Sequence, residues 1–381
     1  MRYLLVLLLA MPTWADALEE LETARKKFEQ LDFAGAEEAL DRVIAAEPEL
    51  GPAYEARGRL REERGATQLA AQDMLAASKR GADLWLRAGA LFLEVNDYDG
   101  AAAAYLGSWN KNRRLDSLHN VAKAYASAGD WKRAIETYER VIKRADAVER
   151  SELYMRLGNL RSLAGDHAAG LKDLDFAIEQ DTALVRGYQL RGRVKLRMGK
   201  QAEALADYNK AVSLAKRQAN PHFVLGLAHF DLGQWKQAIQ SFERSLALGE
   251  SQGYTSLYLF LARGRTGEPA LQIRAKKELM EFLDNRPKKD GEWFARLGGF
   301  LAGDVTEEQL IAEAKKANKH TARERLCEAW GYIGQRAMLK GDVEKARQAF
   351  RAAVATKVGT YMEFSTAAAE LARLDRAAEG E

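Results

Sequence analysis

The sequence predicts an all-α fold, a right-handed superhelical solenoid of stacked helix-turn-helix hairpins. Three observations carry this expectation. A pattern returns at intervals of about 34 residues, small and large residues alternate at fixed places within it, and each copy carries a turn signal at its middle. Of the 381 residues, 47% are hydrophobic and 6 are proline, ample for a stable fold without disulfides or metals. Composition alone suggests two or three compact domains at roughly 150 residues each, a count that the repeat overturns.

The period is seen most directly in two second helices. Gly129-Asp130-Trp131 runs on to Ala134, Tyr138 and Val141, and Gly233-Gln234-Trp235 runs on to Ala238, Phe242 and Ser245 at the same offsets. Upstream, a glycine lies seven residues before the turn glycine: Gly158 before Gly165, Gly192 before Gly199, Gly226 before Gly233. Units therefore begin near 17, 51, 82, 115, 151, 185, 219 and 253, with a last clear one near 327.

These residues resemble the tetratricopeptide repeat. The small positions are Ala24, Gly58, Gly89, Ala122, Gly158, Gly192, Gly226 and Gly334 in first helices, and Ala36, Ala70, Ala101, Ala134, Gly170, Ala204, Ala238 and Ala346 in second helices. Leu40, Met74, Tyr105, Tyr138, Leu174, Tyr208, Phe242 and Phe350 fill the space between, where dense packing leaves no room for a larger neighbour. Asn96-Asp97, Gly129-Asp130, Gly165-Asp166 and Gly341-Asp342 pair a residue tolerant of positive φ with a helix N-cap.

Domain boundaries follow: a leader over 1–17, an array of about eight units over 18–285, an irregular helical insertion over 286–322, and a final unit with a capping helix over 323–381. The unit at 253–285 is degenerate, with Arg263 in place of a large residue and Pro269 after the turn Gly267. In the insertion, Pro287, Lys288, Lys289 and Asp290 make a charged break, Trp293 and Phe294 belong to a short helix, and Asp304 or Thr306 caps another running from Glu307 to about Ala317.

The C-terminal part, with Cys327-Glu328-Ala329, Tyr332-Ile333-Gly334, Gly341-Asp342, Ala346, Phe350 and Ala353, then Glu363, Ala367 and Glu370-Leu371, is similar to the NlpI-like bacterial envelope tetratricopeptide proteins. Those are lipoprotein adaptors that recruit cell-wall hydrolases and a protease, so the resemblance implies a scaffold role. A helix over about 361–373 is expected to cover the apolar face of the last repeat.

Residues 1–17 have the layout of a secretory signal peptide: basic Arg2, an apolar run of about nine residues from Tyr3, and Ala15-Asp16-Ala17 as an A-x-A cleavage site. The run is shorter than the 20 or so residues that span a bilayer, and no cysteine near it invites lipid attachment. A periplasmic or secreted product, with no membrane insertion after cleavage, is expected. Net charge is only +3, so nothing global attracts nucleic acid. Cys327, the only cysteine, excludes an internal disulfide and reads as a buried structural residue.

No phosphate loop, dinucleotide fingerprint, nucleophile elbow or H-E-x-x-H motif occurs. His222 and His229 lie seven apart on one helix but occupy packing positions, and the turn aspartates are explained as caps. No catalytic residue, metal site or cofactor is assigned.

Function is therefore expected to lie in protein binding by a non-enzymatic adaptor or scaffold, with peptide or protein partners, envelope or cell-wall enzymes among them. In the repeat frame, first-helix positions that line a concave channel are acidic and mixed near Glu55, Arg59 and Glu62, and basic and aromatic farther on. The candidate binding residues are Lys123, Asn159, Arg186, Gln189, Arg193, Arg197, Phe223 and Phe230: guanidinium forks for carboxylates, an amide-bearing wall, and a phenylalanine pair for apolar side chains. The carboxylate clamp of chaperone-binding relatives is not reproduced, because His119 stands where its lysine would be. The alternative is a self-assembling scaffold in which terminal repeats pair two copies, a homodimer being the simplest case.

Overall fold

The computed structural model describes residues 15–143, 145–249, 252–285, 291–359 and 361–379. Among these residues the regular structure is helical, in 21 helices with no strand. Most of the leader and the charged break at 286–290 lie outside the described residues. No helix among the described residues is long and apolar enough to cross a membrane.

The chain divides into two compact units, 1–138 and 139–381. In the first, α1 (Ala15–Glu29) pairs with α2 (Phe33–Ala46), α3 (Gly51–Glu63) with α4 (Thr67–Lys79) and α5 (Trp85–Glu94) with α6 (Tyr98–Asn112). Then come α7 (Leu115–Ser127) and the start of α8 (Trp131–Ile142), where His119 Nδ1 lies 2.8 Å from Tyr138 Oη. The second unit continues with the hairpins α9 (Ala147–Leu163) and α10 (His167–Gln180), α11 (Val185–Arg197) and α12 (Gln201–Leu214), and α13 (Ala219–Asp231) and α14 (Trp235–Ala247). Four further elements follow as α15 (Gln252–Arg265) with α16 (Pro269–Asn285), and α17 (Gly291–Ala302) with α18 (Glu307–Lys316). It ends with α19 (Lys319–Leu339), α20 (Val343–Ala355) and α21 (Met362–Glu379).

The turns form as their residues dictate. Asn96, Gly129, Gly165 and Gly341 all adopt positive φ, and the aspartate after each accepts a hydrogen bond from the backbone N–H three residues on, as Asp97 does from Gly100 at 2.8 Å. Each such cap stabilises its helix by about 1 kcal/mol. Within a hairpin the small residues mark where the helices touch. The alanines at the second-helix positions are fully buried, and a Cβ on Gly226 would come 2.5 Å from the Phe242 ring. On Gly158 it would come 2.7 Å from the backbone oxygen of Gly170.

A second device joins hairpins. Arg57 of α3 binds Asp73 of α4 at 2.7 Å and reaches back to Asp41 of α2 at 2.5 Å. In the second unit Arg191 repeats the arrangement with Asp207 at 2.6 Å and Asp175 at 2.9 Å. The degenerate unit uses it too: Arg263, only 1% exposed, lies between Glu243 at 2.7 Å and Glu278. The residue that breaks the repeat pattern is thus held by carboxylates from both neighbouring second helices. Where the carboxylate is itself buried, as with Asp73 and Asp207, removing one partner of the pair costs about 3–5 kcal/mol, because the other charge is left desolvated.

The insertion is a hairpin of its own, α17 with α18, and the latter starts at a capping box in which Thr306 and Gln309 satisfy each other's backbone N–H. The last helix, α21, is longer than expected. Its Ala367 and Leu374 cover Ala346, Phe350 and Ala353 of the final hairpin, as a terminal cap must, and it also packs against α13, three hairpins upstream.

Alanine at Gly158 or Gly226 gains about 1 kcal/mol of helix propensity but overpacks the hairpin by about 1–3 kcal/mol. Gly158→Ala, opposed by backbone that cannot rotate away, should lose more stability than Gly226→Ala; a fall in urea midpoint at unchanged m-value checks both.

Candidate functional site

The three predicted arginines and the glutamine of α11 recur at helical spacing. Arg186, Gln189, Arg193 and Arg197 fall at i, i+3, i+7 and i+11, one face of the helix. Arg186 is exposed, Arg193 and Arg197 are half-buried, and Gln189 is buried with its amide donating to Asn220 of α13 at 3.1 Å. The Arg197 guanidinium donates to Ser162 of α9 at 3.3 Å. Burial pulls it down to about 10, and the like charge of Arg193 adds to the effect. Asn159 stands half-buried one turn before Ser162.

Among the described residues, Arg186, Arg193 and Arg197 have no carboxylate within ion-pair distance, whereas Arg57, Arg161, Arg191 and Arg263, between helices, each have two. The acidic stretch of the first unit is already neutralised: Glu55 pairs with Arg59 at 2.8 Å and Glu62 with Arg87. Lys123 is exposed on α7 and belongs to the first unit, whereas the other seven candidates belong to the second.

The phenylalanine pair needs correction. Phe230 is fully buried, edge-on to Trp235 at 5.1 Å and to Tyr258 at 5.4 Å, so it is core and presents no binding surface. Phe223 is half-buried and leans on Phe242 and Tyr258 at 5.9 and 6.3 Å. The expected apolar pocket is filled by the ring cluster of α14 and α15. His222 and His229 likewise bond separately, His222 near the Lys216 carbonyl at 3.3 Å and His229 with Gln234 at 2.6 Å. The Cys327 side chain is fully buried, and burial pushes its thiol up to about 12. Among the described residues no group of three or more His, Cys, Asp or Glu is placed to hold a metal ion.

Beside the arginine face lies a cradle that the repeat frame did not reveal. It is built by α13, α15 and α19, and α21 sits in it. Glu363, Thr366 and Glu370 of α21 are 3%, 4% and 1% exposed, which puts a carboxylate, a hydroxyl and a second carboxylate on the buried stripe of the helix. Tyr332 donates to Glu363 at 3.4 Å, Thr366 hydrogen-bonds Asp231, and Glu370 receives Arg265 at 2.9 Å and Gln335 at 3.1 Å. Arg265 and Arg373 both lie over the Trp235 ring, at 4.5 and 4.9 Å. Nearby, the Glu328 carboxylate of α19 takes hydrogen bonds from Tyr254 at 2.5 Å and Trp293 at 2.8 Å. The sequence carried one signal of this, two acids on the stripe 363, 367, 370 and 374 whose remaining members are apolar.

The cradle holds α21 against opposing forces. Leu374 is buried, and Phe364 and Leu371 are half-buried, so apolar gain amounts to a few side chains at about 1.5–3 kcal/mol when fully buried. Against it stand desolvated acids facing acids. Burial raises Glu363 well above the carboxylate range, with the charge of Glu328 adding to it. Burial also pushes Asp231 up to about 7; Glu370 adds, while Thr366, Arg373 and Arg193 oppose, and Asp231 Oδ1 has no hydrogen-bond partner among the described residues.

Parts of the chain match models of a known repeat. Residues 117–150 and 219–251 match models of the tetratricopeptide repeat and residues 192–233 a model described as TPR repeat, so these segments are tetratricopeptide repeats. Among solved structures, a tetratricopeptide repeat protein from Parabacteroides merdae is similar at 18% identity over 65% of this chain and 98% of its own, with a TM-score of 0.39. A MamA structure is similar at 25% identity over 42% of this chain and 94% of its own, TM-score 0.32. A Naa15/Naa10 structure bound to HypK-THB is similar at 14% identity over 90% of this chain and 58% of its own, TM-score 0.42.

The raised carboxyls make the seat of α21 pH-dependent. With its pKa lifted from 3.8 to about 7, Asp231 binds its proton more tightly when α21 is docked than when it is free. Docking is therefore strongest below about pH 4, weakens as pH rises toward 7, and loses nothing further from this group above it. Glu363 acts in the same sense. Hydrogen exchange of α21 amides, corrected for intrinsic rates, should show less protection at pH 8 than at pH 5. Asp231→Asn with Glu363→Gln should flatten the difference.

Proposed function

We propose that this chain is a non-enzymatic adaptor whose tetratricopeptide repeats bind protein segments, and that the α11 face of the second unit takes an acidic one. A single observation carries the reading: Arg186, Arg193 and Arg197 share one helix face with no carboxylate in ion-pair range among the described residues. Guanidinium groups left unpaired beside an amide and a hydroxyl, here Asn159 and Ser162, suit a ligand that brings its own carboxylates. Arg197 is the most demanding of the three, since burial has removed much of its water.

Export and envelope partners belong to the same proposal. The leader pattern of residues 1–17 supports a periplasmic or secreted location, and the likeness of the C-terminal part to NlpI-like proteins supports envelope or cell-wall enzymes as partners. Tetratricopeptide repeats work as interaction modules, which favours an adaptor over an enzyme. Cell fractionation of the chain with and without residues 1–17 tests the location.

Binding of a labelled Glu-rich peptide tests the site. Arg186→Glu and Arg193→Glu should each weaken it about tenfold or more, the order expected when a charge-assisted hydrogen bond worth about 1.5–3 kcal/mol is replaced by repulsion. The affinity should fall with salt. Equal affinity for wild type and both variants would remove the α11 face from the function.

A further inference from the structure

We propose that α21 is a displaceable occupant of the cradle, and that the cradle receives from another protein an acidic helix carrying a carboxylate, a hydroxyl and a second carboxylate at the spacing of Glu363, Thr366 and Glu370. The inference deepens the protein-binding reading above and rests on it, but concerns a different surface from the α11 arginines.

The occupant's chemistry is written in what α21 already satisfies. The cradle offers donors from two helices: Tyr332 and Gln335 from α19, and Arg265 from α15. It also offers the Trp235 face, to which two guanidiniums are drawn. Arginine, tyrosine and tryptophan around a central cleft are the residue types that dominate binding energy at interfaces. A helix meets this set only if its acids fall seven residues apart with the hydroxyl three after the first, as they do in α21.

Displacement has a physical basis, because α21 is ill-matched to part of its surroundings. Every element packed on its polar stripe sets charged or titratable groups against it: Asp231 from α13, Tyr254, Tyr258 and Arg265 from α15, and Glu328 and Tyr332 from α19. Two of these are carboxyls opposed to carboxyls of α21 itself. An element whose apolar contacts and hydrogen bonds are offset by such juxtapositions is expected to open before the hairpins do. The connector ahead of it passes Leu163 of α9, 3.4 Å from where a Gly359 Cβ would stand.

The probe is a fluorescein-labelled peptide copying Met362–Glu379, titrated into the full chain and followed by anisotropy. Wild type, its own α21 in place, should bind weakly. Ala367→Arg, which unseats α21 and leaves the cradle unaltered, should bind at least tenfold tighter. A lock supplies the control. A Cβ on Gly331 would lie 3.0 Å from that of Glu363, near disulfide range, so Gly331→Cys with Glu363→Cys in a Cys327→Ala background can clamp α21 to α19.

The oxidised lock should bind nothing and the reduced form should bind as wild type or better. A peptide with both acids changed, Glu363→Lys and Glu370→Lys, should fail throughout. Equal binding to oxidised and reduced lock, or to native and charge-reversed peptide, overturns the proposal, and the lock decides it even if Ala367→Arg does not fold. Mass that doubles with concentration in the reduced lock places a second copy's α21 in the cradle and overturns the assignment to another protein. Arg186→Glu separates the two surfaces: it should weaken Glu-rich peptide binding about tenfold or more and leave the α21 peptide unaffected, so either surface can fail alone.

Discussion

Everything in this molecule depends on how closely two antiparallel helices of a hairpin can approach. Where Gly226 faces Phe242, or Gly334 faces Phe350, the ring rests on the backbone of the opposite helix, with 2.4–2.5 Å left for a Cβ that is not there. That contact fixes the separation of the two helices. The separation in turn sets which side chains are core, which reach the next hairpin, and which remain on the inner face to meet a ligand. A methyl group at the contact would shift all three.

This explains how much of the structure could be read from the sequence. The small and large positions, the positive-φ turn residues and the Asp caps are local consequences of one hairpin, so they are written within about 34 residues and every one of those named appears as expected. Thr306 as the start of α18 is equally local. What failed was the inner face. A repeat frame assigns Phe230 to a channel, but Trp235 of its own hairpin and Tyr258 of the next close the space. Nor could a frame place Arg263, whose two carboxylates come from different hairpins.

The cradle was hidden for the same reason on a larger scale. Arg265 and Glu370 are 105 residues apart, and no period of 34 relates them. The sequence offered only acids in an otherwise apolar stripe, which looks like a flaw in a capping helix until the donors of α15 and α19 are placed beside it. The resulting helix does two things at once: its apolar side closes the last hairpin, and its polar side answers the first helix of that hairpin and those of two others. A terminal cap has become part of the surface on which the protein is expected to work.

The bridging arginines have an evolutionary consequence. Arg57 grasps acids 16 residues before it and 16 residues after it, and Arg191 does the same with Asp175 and Asp207. The spacing is about half a repeat in each direction, so each such arginine ties the second helix of one unit to that of the unit before. Such a chain tolerates duplication or loss in whole hairpins only. A cut made anywhere between the paired acids strands a guanidinium, and a residue added to the turn on either side shifts the grip on that side. The array is in this sense quantised in length, and its ion pairs keep the count.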